Sequence, residues 1–187
     1  MNKLFFSLSI ALLMLISACS NQPTKTPIEK RQVIIDMRNQ VFQDLYKIKP
    51  DVKAQISNAE GYAVFSNANI NLIFASVGAG HGVVRDNKSG KNTFMKMGEA
   101  GLGLGIGLKD FRAVFVFHSC DALSQFAEDG WAFGVNADAA AKASEKGAAV
   151  GGEATFDNIT VYQLTESGLA LQATVKGTKF WQDGELN

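Results

Sequence analysis

The sequence contains few of the residues that build disulfide frameworks, metal centres or histidine-based catalytic sites. Its 187 residues include two cysteines, two histidines and three prolines. Two cysteines cannot form the disulfide framework of a small secreted domain, so the fold must depend on packing. The histidines, His81 and His118, have no partner at a spacing typical of metal ligands. We therefore predict no metal site and no cofactor other than the covalent lipid described below.

The sequence also lacks an excess of charge of either sign and a long apolar run. The chain has 18 basic and 18 acidic residues, so its formal net charge is zero. This balance gives no reason to expect nucleic acid as a partner. No apolar run reaches the roughly 20 residues that a transmembrane helix needs. The composition fits one globular domain.

Catalytic and nucleotide-binding motifs are absent as well. No Walker-type glycine loop is present, and no G-x-G-x-x-G opens a helix. The stretch from His118 to Asp121 has the residue types of nucleophilic catalysis, but adjacent strand residues point to opposite faces, and a triad is assembled from separated residues. A strand end followed by a helix cap explains the stretch better. We predict no catalytic residues.

The amino terminus has the layout of a secretory signal. Lys3 precedes an apolar run over 4–16, and the sequence then continues through Leu15-Ile16-Ser17-Ala18-Cys19. This ending resembles a bacterial lipobox, although an ordinary signal with a chance cysteine is the alternative. In the lipobox class the signal (1–18) is removed, and Cys19 receives a diacylglycerol and an N-acyl chain that anchor it to a membrane. Ser20 then favours the outer membrane of a Gram-negative envelope, with the domain facing the periplasm.

A short polar tether (19–26) leads into a predicted amphipathic helix over 27–49. Thr26, Pro27 and Glu29 form a capping-box start. Apolar residues then recur at helical spacing up to Pro50. The exposed positions carry a basic excess that suits an anionic membrane surface, at about 1 kcal/mol for each residue close to it; an ordinary solvated helix face is the alternative. These candidate lipid-binding residues are Lys30, Arg31, Arg38, Lys47 and Lys49.

The remainder reads mainly as strands and turns. Short helices are predicted over 51–58 and 121–128, and a turn over 86–90. Strands are predicted over 62–65, 71–84, 93–97, 101–107, 111–117, 135–144, 153–156, 159–164 and 169–176, with Phe180 and Trp181 closing the chain. These elements predict an α+β domain (27–187). Its sheet is expected to be mainly antiparallel and strongly curved or barrel-like, with one long amino-terminal amphipathic helix and a short internal helix.

Glycines at every second position form the most unusual tract. In a strand they share one bare face, opposite an aliphatic face. Each strand glycine costs roughly 0.5–1 kcal/mol relative to alanine, so a compensating bend or close contact is expected. Protein and lipid remain alternatives for what covers this face, and a second tract occurs at Gly78, Gly80 and Gly82. The candidate lipid-binding glycines are Gly101, Gly103, Gly105 and Gly107.

Several short motifs, in order, resemble the SYLF domain family, also called Ysc-type or DUF500. The resemblance covers about residues 57–184. The motifs are GYAVF (61–65), GAGHGVV (78–84), the glycines of 101–107, DALSQF (121–126), GVNADA (134–139) and VYQLTESGL (161–169).

The resemblance implies a non-catalytic domain that associates with lipid or membranes, because eukaryotic members bind phosphoinositide-rich membranes and some bind actin. Bacterial members are often secreted lipoproteins. The leading hypothesis is thus an envelope lipoprotein that binds phospholipid or associates with the membrane surface. The alternative is a structural or protein-interaction module of the envelope with no ligand of its own. Protein partners, the lipid and the oligomeric state are not predicted.

Overall fold

The computed structural model describes residues 25–72, 75–101, 107–133, 153–165, 168–169 and 176–187. Three helices and nine strands are assigned within them. The helices are α1 (Pro27–Ile48), α2 (Val52–Asn58) and α3 (Cys120–Asp129). The strands are β1 (Gly61–Leu72), β2 (Ala75–Asp86), β3 (Asn92–Gly101), β4 (Gly107–Phe117), β5 (Trp131–Phe133), β6 (Glu153–Phe156), β7 (Ile159–Thr165), β8 (Gly168–Leu169) and β9 (Lys176–Gln182).

All strands belong to one antiparallel sheet, which confirms the α+β prediction. Its order is β5-β9-β3-β2-β1-β4-β7-β6, and β8 pairs with β7. Within the described ranges no pairing joins β5 to β6, so this sheet is open rather than a closed barrel. β1, β2 and β4 form its centre over eleven or twelve residues each.

Helix α1 begins as the sequence predicts. The Thr26 hydroxyl accepts a hydrogen bond from the Glu29 amide, and the Glu29 carboxylate accepts one from the Thr26 amide at 2.7 Å. This capping box satisfies amide groups that have no partner in the first turn. The helix ends at Ile48, and Pro50 follows. Its buried face consists of Ile34, Val41 and Leu45.

The sheet packs helices on both faces. One face carries α3 over an aromatic cluster in which Phe65, Phe115 and Phe180 are almost completely buried. The opposite face carries α1 and α2 over Val64, Val114 and Tyr162. Strand β4 contributes to both layers, since Ala113 to Phe117 are all at most 4% exposed. The predicted strand over 111–117 is thus nearly continuous in apolar residues because it is covered on both faces.

Turn chemistry at the β6–β7 hairpin also follows the sequence. Asp157 and Asn158, the two residues between the predicted strands over 153–156 and 159–164, both have positive φ, at 46° and 62°, as a type I′ turn requires. In the 86–90 turn, the Asp86 carboxylate accepts hydrogen bonds from the amides of Lys88 and Ser89 at 2.8 and 3.0 Å. Gly90 has a φ of 73°.

Four strand predictions need comment. The stretch 71–84 is not one strand, because Leu72 ends β1 and Ala75 begins β2 as the two halves of a hairpin. Likewise, Gly101 ends β3 and Gly107 begins β4, and β2 and β1 lie between those strands. Gly101 and Gly107 therefore belong to two different strands, and residues 102–106 lie outside the described residues. Residues 135–144 and 170–175 lie outside the described residues.

Candidate functional site

A groove lies between the amino-terminal half of α1 and the sheet. Its volume is about 530 Å³, within the ~300–1,000 Å³ of typical ligand pockets. It is built by α1, by β2, β3 and β9, which are neighbours in the sheet, and by the segment that follows β9. Its apolar side chains include Val33, Ile34, Ala79, Trp181 and Leu186.

Small residues form the floor of the groove. Ala79 on β2 and Gly98 on β3 are direct partners in the strand register. The Trp181 indole from β9 lies over Gly98, where an added Cβ would stand 3.2 Å from the ring atom Cη2. The ring nevertheless remains accessible, since Trp181 is 40% exposed. Trp181 therefore acts as a wall beside a floor that has almost no side chains.

Lysines and carboxylates surround this apolar floor. The Lys30 ammonium lies 2.5 Å from the Glu185 carboxylate, and Lys96 lies 3.1 Å from the nearly buried Asp183 carboxylate. Lys25 is a third, exposed lysine on the groove. Three lysines against two carboxylates leave one net positive charge, which favours an anionic group at this position.

His81 lies on the groove beside Lys96, its partner in the β2–β3 register. Its side chain is partly exposed, but surrounding protein atoms desolvate the ring and lower the pKa of His81. The imidazole is consequently neutral at pH 7. Protonation on acidification would add a second cation next to Lys96.

The five basic residues predicted on α1 do not form one patch. Only Lys30 lies on the groove. Arg31 donates a hydrogen bond to the Leu186 carbonyl at 2.7 Å and lies over the Phe94 ring. Arg38 donates to the Tyr62 hydroxyl at 3.3 Å.

The last two of the five lie at the opposite end of α1. Lys47 pairs with Asp44 at 3.4 Å. Lys49 lies 3.9 Å from Asp51 and over the Tyr162 ring. The structure thus gives four of the five predicted residues contacts within the fold, and these four do not line the groove.

The predicted glycine sites are also separated. Gly101 and Gly107 are at the ends of different strands, and Gly103 and Gly105 lie outside the described residues. In the second glycine tract, over 78–82, other residues of the protein cover the positions that lack a side chain. An added Cβ at Gly82 would collide with the Phe65 ring, and one at Gly80 would stand 2.5 Å from the Asn67 Cβ.

A second cavity, of about 230 Å³, lies beside α3 and contains a three-residue cluster. The Cys120 thiol donates to the Glu60 carboxylate at 3.0 Å, and the Lys88 ammonium lies 2.6 Å from the same carboxylate. The hydrogen bond to Glu60 is the largest cause of a raised pKa of Cys120. The thiol is therefore less nucleophilic than a free cysteine at neutral pH.

The structure does not assemble the residues from His118 to Asp121 into a catalytic group. The His118 ring bonds to the Thr160 hydroxyl at 2.8 Å, and the Ser119 hydroxyl caps α3 by accepting from the Ala122 amide. Within the part of the chain that the structure describes, no group of three or more metal-type ligands lies together. None of the three described helices combines the length and the hydropathy that a membrane span requires.

Sequence reasoning missed most of the groove. Val33, Lys96 and Trp181 come from parts of the chain that are distant in sequence, so no local motif unites them. One signal was present. Trp181 follows the buried Phe180 in a strand, and alternation places such neighbours on opposite faces. The sequence could therefore have predicted a large aromatic side chain on the sheet face opposite Phe180.

Comparison with known proteins identifies the domain. Residues 98–187 match a family model, Ysc84, described as "Las17-binding protein actin regulator". "Beta cell expansion factor A" of Aeromonas veronii is 34% identical over 168 residues, which cover 87% of this chain and 60% of that protein. The chain thus spans about 60% of the length of this curated relative. The family resemblance noted in the sequence is confirmed: the chain belongs to the Ysc84 (SYLF) family.

Proposed function

We propose that this domain binds the surface of a phospholipid membrane through the groove and its rim. Membership of the SYLF family supports a lipid- or protein-binding module of a generally non-catalytic kind. One observation favours lipid over protein as the ligand: the exposed Trp181 indole lies beside an apolar groove that is surrounded by lysines. Tryptophan favours the membrane interface because its ring is amphipathic.

We name the contact surface the groove face and define it by six residues. Its apolar members are partly exposed: Val33 (39%), Val77 (60%) and Trp181 (40%). Val77 lies on β2 two residues before Ala79, so it is on the same face of the sheet. Its basic members are Lys25, Lys30 and Lys96. Lysines close to anionic lipid each contribute about 1 kcal/mol, and the apolar side chains add the burial of their exposed area.

This assignment shifts the proposed contact away from most of α1. Arg31 and Arg38 hold the helix to the C-terminal segment and to β1, so they have a structural role. Lys47 and Lys49 lie at the other end of α1. Lys30 alone is shared by the predicted basic set and the groove face.

We further propose that Cys19 carries the lipid anchor and that the domain is held at a bacterial membrane, facing the periplasm from the outer membrane. Lys25 is six positions after Cys19 in the chain, a reach of at most about 20 Å. Because Lys25 belongs to the groove face, an anchor at Cys19 would keep that face close to the bilayer. Mass spectrometry of the membrane-extracted protein tests this: acyl groups on Cys19 are expected, and an unmodified Cys19 would contradict the anchor.

Vesicle flotation tests the membrane proposal directly. Residues 20–187 keep every described contact and lack the cysteine that could be acylated. We expect them to float with phosphatidylglycerol vesicles at low salt and less with phosphatidylcholine vesicles, because the groove face is cationic.

Matched substitutions assign the binding to the groove face. Val33→Glu should reduce binding about tenfold or more, since it puts a charge into the contact. Ile48→Glu, at a similarly exposed apolar position at the other end of α1, should leave binding unchanged. Lys96→Glu should weaken binding more than Lys47→Glu. Absence of binding to either vesicle would contradict the proposal and favour the protein-interaction alternative.

A further inference from the structure

We infer that the groove is a binding site for one long-chain fatty acid, with the carboxylate on Lys30 and Lys96 and the hydrocarbon chain along Val33, Ala79 and Trp181. This inference deepens the proposed function and rests on it for the source of the ligand, the adjoining membrane. The ligand class is a single-chain amphiphile with one negative charge.

The dimensions of the groove favour a single chain. A volume of about 530 Å³ suits one ligand of moderate size, and a phospholipid with two long acyl chains exceeds it. The floor of Ala79 and Gly98 offers no polar side chain. An unbranched hydrocarbon chain can lie on such a floor, with the Trp181 ring along its side.

The charges of the groove favour an acid rather than a neutral amphiphile. Lys30 and Lys96 each bind one carboxylate of the protein. Each ammonium group has three hydrogen-bond donors, so donors remain for a ligand. Both lysines keep a substantial exposed fraction, 38% and 46% of their side chains. A ligand carboxylate can therefore share these ammonium groups without breaking the existing pairs.

The C-terminal segment already binds in the way that we propose for the ligand. Leu186 is buried against Ile34, Val83 and Phe94, while the carboxylate of the preceding Glu185 is held by Lys30. An aliphatic group thus sits between α1 and the sheet with its neighbouring carboxylate on a groove lysine. The rest of the groove has the same combination of an apolar lining and nearby lysines.

Calorimetric titration of residues 20–187 with free fatty acids, without vesicles, tests the inference. Dodecanoate and hexadecanoate, below their micelle concentrations, should bind saturably with one molecule per chain. Decanoate should bind more weakly, because less hydrocarbon is buried. The long-chain alcohol hexadecanol should bind at least about tenfold more weakly than hexadecanoate, because it lacks the charge. Absence of saturable binding, or equal affinity for acid and alcohol, would overturn the inference.

Two glutamate substitutions place the ligand within the groove. Val33→Glu, on the lining, should reduce hexadecanoate affinity about tenfold or more. Val77→Glu makes the same change outside the lining and should have no effect on hexadecanoate. Equal losses in both variants would overturn the assignment. Ala79→Leu fills the floor and should reduce affinity more for hexadecanoate than for decanoate, which gives a second test with an uncharged residue.

The two proposals fail in different ways. Val77→Glu should weaken vesicle binding while leaving hexadecanoate binding intact, since Val77 belongs to the groove face but not to the groove lining. Vesicle binding without fatty-acid binding overturns only the groove assignment. Fatty-acid binding without vesicle binding overturns only the membrane proposal.

Discussion

The Trp181 indole ring covers Gly98, which lies on the neighbouring strand two residues beyond Lys96, the register partner of Trp181. The absence of a side chain at Gly98 lets the ring lie close to the sheet. This one relationship sets both the wall and the floor of the groove. It also explains why a strand here contains glycine despite the cost in conformational freedom.

Replacement of Gly98 by valine should disturb the groove. An added Cβ stands 3.2 Å from the Trp181 ring, so a branched side chain must push the ring outward. We expect a red-shifted tryptophan emission and weaker vesicle binding. Gly184→Val is the control, because nothing lies within 4 Å of a Cβ at that position. Unchanged emission and binding in Gly98→Val would contradict the described contact.

Vesicle binding should increase on acidification through His81. Desolvation lowers the pKa of His81, so the ring is neutral at pH 7 and takes up its proton at a lower pH than an ordinary histidine. An anionic surface favours the charged ring, and affinity for phosphatidylglycerol should therefore rise as the pH falls towards 5. The other charged groups on the groove are Lys25, Lys30, Lys96, Asp183 and Glu185.

The matched variant for this prediction is His81→Gln, which cannot titrate. Its binding should change little between pH 7 and 5, and an equally steep increase in this variant would assign the effect to other groups. In the absence of lipid, the free energy of unfolding should decrease as the pH falls. The unfolded state takes up the proton at the higher pKa, so the folded protein loses stability as the pH falls through this window.

The Cys120 thiol should react slowly with iodoacetamide, and Glu60→Gln should accelerate the reaction. Hydrogen bonding to the Glu60 carboxylate is the largest cause of the raised pKa of Cys120, whereas Lys88 acts in the opposite direction. Removal of the carboxylate charge leaves the Lys88 effect and increases the thiolate fraction at neutral pH. A rate that is unchanged or lower in Glu60→Gln would contradict the cluster geometry.

The β6–β7 turn should tolerate glycine but not valine at position 158. Asn158 has a φ of 62°, where a β-branched residue costs about 1–2 kcal/mol. We therefore expect Asn158→Val to lower the free energy of unfolding by about that amount in urea titrations, while Asn158→Gly stays close to the wild type. Equal stability of the two variants would argue against the positive φ.

Local signals predicted local structure well. The Thr26–Glu29 capping box, the turn at Asp157 and Asn158, and the cap of α3 at Ser119 each depend on residues within three positions of one another. Their geometry is fixed by short-range hydrogen bonds and by φ preferences, so the sequence alone identifies them. The burial of β4 followed from its continuous apolar run in the same way.

Long-range arrangement was not predictable from the same signals. A glycine at every second position has the period of a strand, but it does not reveal that Gly101 and Gly107 lie in strands separated by two others. The groove depends on α1, β2, β3, β9 and the segment after β9, which meet only when β9 pairs with β3. The basic residues of α1 were visible, whereas their partners Leu186, Tyr62 and Glu185 were not, because these contacts span many residues.

Quenching of Trp181 fluorescence by lipids tests the central claim most directly. In residues 20–187 carrying Trp131→Phe, Trp181 is the single tryptophan. With phosphatidylglycerol vesicles whose acyl chains are brominated, we predict a blue shift and strong quenching of Trp181, both reduced by Val33→Glu and not by Ile48→Glu. Vesicle binding that leaves Trp181 unquenched would contradict the account, because the domain would then meet the membrane through another face.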